Sequence, residues 1–306
     1  MGLTITAEQV GLMFLLMLLG LFAAKRGWFG PEAQVGMTNI LVYFVMPCVI
    51  IQAFNRPFSP DQLGTLGLAT LIDIIVFTVV IVGIHLATSR LGDPDRRRTL
   101  RYATVYSNAG FMAMPLAQAL LGDDGVFFVV IYVVLFNIFV WTHGIALFPG
   151  GAGGWLRRLF QTPVIPSVIL GLALFVSSVR LPAIVVTGLG YLSNVNAPVS
   201  MLVVGASLAG ISWRSALRDG WTWLGVAIRN GIVPLVGLLA LWPIHLPNPV
   251  KLAILLPLSA PVAAYLVMFS VMRQVDTKYP ASLVLLSTLV AVVSLPATLA
   301  LAGWLW

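Results

Sequence analysis

The chain has 306 residues, 59% of them hydrophobic and 9% charged, with a mean hydropathy of +1.00 and a formal net charge of +7. Seventeen Lys and Arg with ten Asp and Glu cannot wet the surface of a soluble globule, where about 25% of residues are charged. The same composition excludes a disordered chain, and the single cysteine, Cys48, excludes a disulfide scaffold.

An all-α polytopic membrane protein remains. A spanning helix takes about 20 apolar residues. Apolar runs fall at about 7–24, 36–54, 64–88, 99–121 and 124–148. After a loop holding Pro149, Gly150, Gly151, Arg157 and Arg158 they resume at about 162–179, 184–209, 219–242, 250–272 and 279–303. Ten transmembrane helices are therefore expected, since barrel strands would be half as long and would alternate. The first run has Glu8 in front and Lys25-Arg26 behind, the reverse of a signal peptide, and reads as a retained span.

Thirteen of the seventeen Lys and Arg fall in loops on the side of the first loop, against three (Arg56, Arg180, Lys251) on the other. That bias makes the first side cytoplasmic and puts both termini outside. The basic run Asp95–Arg98 is then a cytoplasmic loop, and no nucleic-acid partner is expected. Eight of the nine Trp, Trp141 being the exception, sit at or near span ends, where an amphipathic indole meets the interface with membrane lipid.

Gly20, Pro31 and Pro47 recur as Gly171, Pro182 and Pro198, each 151 residues on. The same displacement sets Asn108–Pro115 of the fourth run against Ser259–Leu266 of the ninth. With five helices per copy, the second enters from the opposite side: two inverted five-helix repeats, residues 1–150 and 162–306. The fourth run carries Asn108, Gly110 and Pro115, and the ninth Pro257, Ser259 and Pro261. Proline removes a donor and frees carbonyls in mid-membrane, tolerated only where protein or a water-filled cavity satisfies them. Two breaks at repeat-related positions predict a midplane site framed by half-helix ends, lined by Asn108, Gly110, Pro115, Ser259 and Pro261. Asn108 is the first choice for substrate contact, because its amide donates to a carboxylate without adding a fixed charge; the alternative is an interhelical hydrogen bond.

Asp73 and Arg229 lie near mid-span, where an ionised side chain costs a few kcal/mol. Both are candidates for coupling or gating: Asp73 could carry a coupling proton, or be a neutral or paired structural residue. Arg229 can attract an anion, pair with an acid, or snorkel. His85, His143 and His245 lack a further ligand at metal spacing and read as interfacial residues; no metal and no cofactor is expected.

At its breaks the chain resembles the auxin efflux carrier family, whose bacterial members include some assigned to malonate and malate transport. The resemblance rests on Ser107-Asn108-x-x-Phe111-x-x-x-Pro115, Gly122-Asp123-Asp124-Gly125, Gly205-Ala206-Ser207-Leu208, Ser287-Thr288 and Ser294-Leu295-Pro296, and covers essentially the whole chain. It implies ten helices, with spans 1, 2, 6 and 7 as a scaffold, often a homodimer. Spans 3–5 and 8–10 would form a moving transport domain, with broken helices 4 and 9 crossing at the substrate. It also implies that Asn108 contacts a carboxylate and that Asn137 lines the site. Ala113 stands where the family often has Gly. No sodium-site signature like that of the related bile-acid carriers is visible. The long cytoplasmic loop of the plant hormone carriers is absent, which puts the chain with the short bacterial-type members, in the inner membrane.

The leading expectation is a secondary carrier of a small organic anion working by alternating access. A channel would need a continuous polar lining, which the spans do not offer. An enzyme would need a catalytic constellation, and His-x-x-x-His, Gly-x-Ser-x-Gly and paired intramembrane acids are missing; a membrane sensor is a further alternative. No nucleotide-binding run occurs, so direct ATP drive is not expected.

Overall fold

The computed structural model describes residues 3–151, 154–210 and 213–306. Met1, and the side chains of Trp155 and Arg158, lie outside what is described. Helices account for nearly all of the described chain: α1 Leu3–Lys25, α2 Pro31–Phe54, α3 Pro60–Ala87, α4 Pro94–Val105, α5 Ala109–Gly144, α6 Trp155–Gln161, α7 Val164–Ser177, α8 Ala183–Asn194, α9 Asn196–Ser207, α10 Trp213–Arg218, α11 Gly220–Leu241, α12 Asn248–Ser259, α13 Tyr265–Met272 and α14 Lys278–Leu305. Six stretches among the described residues are long and apolar enough to cross a membrane: 8–25 within α1, and α2, α3, α5, α11 and α14. The loop expected around Arg157 contains the short helix α6 instead.

Helix starts follow ordinary chemistry. Pro31, Pro60 and Pro94 occupy first-turn positions where the missing N–H costs nothing. Ser59 accepts from the Gln62 N–H at 3.3 Å, and Asp93 from the Asp95 and Arg96 N–H groups at 3.0 and 3.2 Å. Interior prolines are handled differently. Pro47, Pro115 and Pro234 each follow a wide π-helical turn, at Leu41–Val45, Ala109–Ala113 and Ile228–Ile232. The carbonyl four residues before each proline lies inside that turn, so widening moves it away from the ring.

Gly122 divides α5. Its φ of +65° is left-handed, so the helical path is interrupted where the sequence places the end of one span and the start of the next.

Two close approaches need glycine. A Cβ on Gly20 of α1 would overlap the Leu202 backbone of α9, and one on Gly205 of α9 would overlap the Met17 carbonyl of α1. Gly171 of α7 faces α2, where a Cβ would come within 3.0 Å of the Phe54 ring. Gly20 on Leu202 and Gly171 on Phe54 thus join the start of each half to the second helix region of the other.

Loop contacts gather at two ends. At one, the Lys25 ammonium lies 5.8 Å from the Trp213 ring, Arg96 5.4 Å from Trp221, and Arg98 5.7 Å from Phe148. The Tyr279 hydroxyl donates to the Trp221 carbonyl at 3.1 Å in the same region. At the other, Arg56 pairs with Asp124 at 2.6 Å, the Phe58 N–H donates to Ser178 Oγ at 3.3 Å, and the Leu181 N–H to Asn55 Oδ1 at 3.3 Å.

Candidate functional site

Both expected breaks are present. α4 ends at Val105 and α5 begins at Ala109; α12 ends at Ser259 and α13 begins at Tyr265. Between them the chain leaves the helical path, and the two segments pair as an antiparallel bridge, Ser107 with Val262. The Asn108 N–H donates to the Pro261 carbonyl at 2.7 Å, and the Ala263 N–H to the Tyr106 carbonyl at 3.0 Å. Broken helices leave main-chain groups without helical partners, and here the two breaks satisfy each other.

The bridge pairs Ser107 with Val262, 155 residues further along the chain. Ser259 closes α12, with its Oγ donating to the Leu255 carbonyl of its own helix at 2.9 Å.

Beside the bridge lies a cavity of about 60 Å³, lined by polar Ser107, Asn108, Asn137, Thr162 and Tyr265 among apolar side chains, with no charged residue in its wall. On this measure one water needs about 10–15 Å³, so several waters or a small ligand would fit. Asn108, Gly110 and Asn137 are brought together here, as expected. Pro115, Ser259 and Pro261 are not in the wall: Pro115 is buried beyond the wide turn, and Pro261 contributes its carbonyl to Asn108. The Asn108 side chain does not cap α5. Asn137 spends one amide N–H on the Val133 carbonyl of its own helix at 2.8 Å, leaving its carbonyl oxygen for the cavity.

Thr162 and Tyr265 complete the wall without having been anticipated. Tyr265 stands at the first turn after the second break, where the sequence signal of that break could have drawn attention to it. Thr162 follows α6 and carried no signal.

Asp73 is 1% exposed, and neither of its carboxyl oxygens has a hydrogen-bond partner among the described residues. It lies within electrostatic range of Tyr132, whose hydroxyl is 3.1 Å from Ser107 Oγ at the bridge. Arg229 is fully buried and donates to four main-chain carbonyls around the breaks; it makes no ion pair with Asp73. At the end carrying Arg96 and Arg98, the His85 and His143 rings lie 5.1 Å apart, with His143 Nδ1 2.7 Å from the Tyr106 hydroxyl. The described residues contain no group of three or more His, Cys, Asp or Glu placed to hold a metal.

The family described as "Membrane transport protein" matches residues 5–155 and 151–299. An uncharacterised transporter of Methanocaldococcus jannaschii is 25% identical over 98% of this chain and 99% of its own length. The chain belongs to this membrane transport protein family, the auxin efflux carrier family that its motifs resemble.

Proposed function

We propose that this family member is a secondary carrier of a small organic anion, a carboxylate, working by alternating access. One observation carries the reading: two broken helices cross through reciprocal main-chain bonds, with Asn108 presented to a cavity at the crossing. An uncharged wall suits an anion held by amide and main-chain donors. α5 begins at Ala109, and its first N–H groups have no acceptor within the helix.

Ten spans in two inverted repeats are part of this reading. Support comes from the reciprocal packing of Gly20 on Leu202 and Gly171 on Phe54. The 36 residues of α5 would measure about 54 Å if straight, too long for a hydrocarbon core of about 30 Å, which favours two spans meeting at Gly122. The end that gathers Lys25, Arg96 and Arg98 is read as cytoplasmic, with both termini outside. Spans 1, 2, 6 and 7 form the scaffold, and a homodimer would assemble through them in the inner membrane. Spans 3–5 and 8–10 carry the crossover as the transport domain. Asp73 serves as proton carrier: a buried carboxyl with no existing partner can gain and lose a proton without breaking an ion pair.

A melting screen of the purified protein against mono- and dicarboxylates, followed by counterflow in proteoliposomes, tests the proposal. A saturable shift with one carboxylate, and exchange of that compound, are expected. Flux that neither saturates nor shows counterflow would establish a pore instead.

A further inference from the structure

Arg229 heads the fully buried side chains by size, and it sits in the π-helical turn of α11. No carboxylate neutralises it. The ion pairs among the described residues are Arg56–Asp124, Arg96–Asp93 and Arg98–Asp95. Its guanidinium donates instead to main-chain carbonyls: Nε to Ala260 at 2.9 Å, Nη1 to Thr104 at 3.0 Å, and Nη2 to Pro257 at 3.1 Å and Leu258 at 2.9 Å.

Those carbonyls share a location. Thr104 belongs to the last turn of α4; Pro257 and Leu258 belong to the last turn of α12, and Ala260 follows it. They are the C-terminal ends of the two half-helices that meet at the crossover. The last carbonyls of a helix lack the usual donors four residues on, Pro257 keeping only the Ala260 N–H at 3.3 Å, and carry the negative ends of the helix dipoles. In carriers built from inverted repeats, half-helix C-termini and unwound carbonyls are what coordinate the coupling Na⁺ or H⁺.

We propose that Arg229 is a tethered counter-cation, its guanidinium filling the carbonyl cage in which a carrier of this plan would bind a coupling metal cation, so that transport needs neither Na⁺ nor K⁺ at that cage. The proposal rests on the carrier reading above. A planar fork of five donors matches carbonyls arriving from two helices, whereas an ammonium offers three donors from one point. The charge also stays with the crossover throughout the cycle, while an exchangeable ion has to be bound and released on each turn. Arg229 is not in the cavity wall. It is a positioning residue that acts through the breaks, and the Tyr132 hydroxyl beside it links it to Ser107.

The test uses full-length protein and two readouts. Labelled malonate exchange by the wild type should be the same in Na⁺, K⁺ or N-methylglucamine. Arg229→Ala should lose most of that exchange and recover part of it with millimolar methylguanidinium. The purified variant should also show a saturable rise in melting temperature with methylguanidinium, about 2 °C at ten times its dissociation constant, that the wild type lacks. Wild-type flux that requires Na⁺ overturns the proposal, as does Arg229→Ala exchanging normally without an added cation, or showing no saturable shift. If Arg229→Ala cannot be purified, Arg229→Lys decides: slower but Na⁺-independent exchange is expected, and Na⁺-dependent exchange refutes the idea. Failure of every form to exchange any carboxylate, with the methylguanidinium shift intact, would sink the carrier reading and leave the cation cage standing.

Discussion

The Asn108 main-chain N–H donates to the Pro261 carbonyl at 2.7 Å, and with the reciprocal bond from Ala263 to Tyr106 it ties the break between α4 and α5 to the break between α12 and α13. Because the backbone of Asn108 makes the join, its side-chain amide is left for the cavity. Structural and binding roles therefore sit on different atoms of one residue, and substitution can separate them.

Asn108→Ala keeps the N–H and removes the amide. Stability should change by no more than about 1 kcal/mol, while the carboxylate-induced melting shift disappears. Equal loss of stability and binding would show that the side chain mainly packs.

Asp73→Asn keeps shape at a buried site that lacks an ion pair. The variant should fold with a stability change of about 1 kcal/mol or less and should still exchange substrate. It should lose net flux driven by an imposed pH gradient. A variant whose net flux still follows the gradient as the wild type does removes Asp73 from coupling.

Glycines at the two close approaches should behave differently from the glycine at the cavity. Gly20→Ala and Gly205→Ala push a methyl group into main chain, and each should cost at least about 1–3 kcal/mol with lower folded yield. Gly110→Ala meets only the Met46 Cε, at 3.4 Å, and should fold normally while binding substrate more weakly. Melting temperatures with and without ligand distinguish the cases, and a Gly20→Ala protein as stable as the wild type would contradict the packing argument.

Arg56 donates to Asp124 at 2.6 Å and to the Asp123 carbonyl at 3.0 Å, joining the loop after α2 to the turn at Gly122. The Asp124 side chain is 79% exposed, so a double-mutant cycle should give a coupling of about 0–1 kcal/mol. A coupling several times larger would mean that the pair holds the two regions together rather than decorating their surface.

Sequence by itself reached membrane helices, their approximate bounds and both break points, because hydrophobic run length, proline and glycine act on their immediate neighbours. It also brought Asn108, Gly110 and Asn137 to one site, since the first two lie in the break and the family resemblance implied the third. What it could not reach depends on separation along the chain. The carbonyls that surround Arg229 come from 28, 29, 31 and 125 residues away, and no local pattern distinguishes a caged guanidinium from one that pairs or snorkels. His85 and His143 meet across two helices for the same reason, although neither has a partner at ligand spacing in sequence. The pairing of Ser107 with Val262 was decided when main-chain donors at one break had to find acceptors at the other. Local chemistry determined where the helices break; only packing determined which broken ends face each other and what neutralises them.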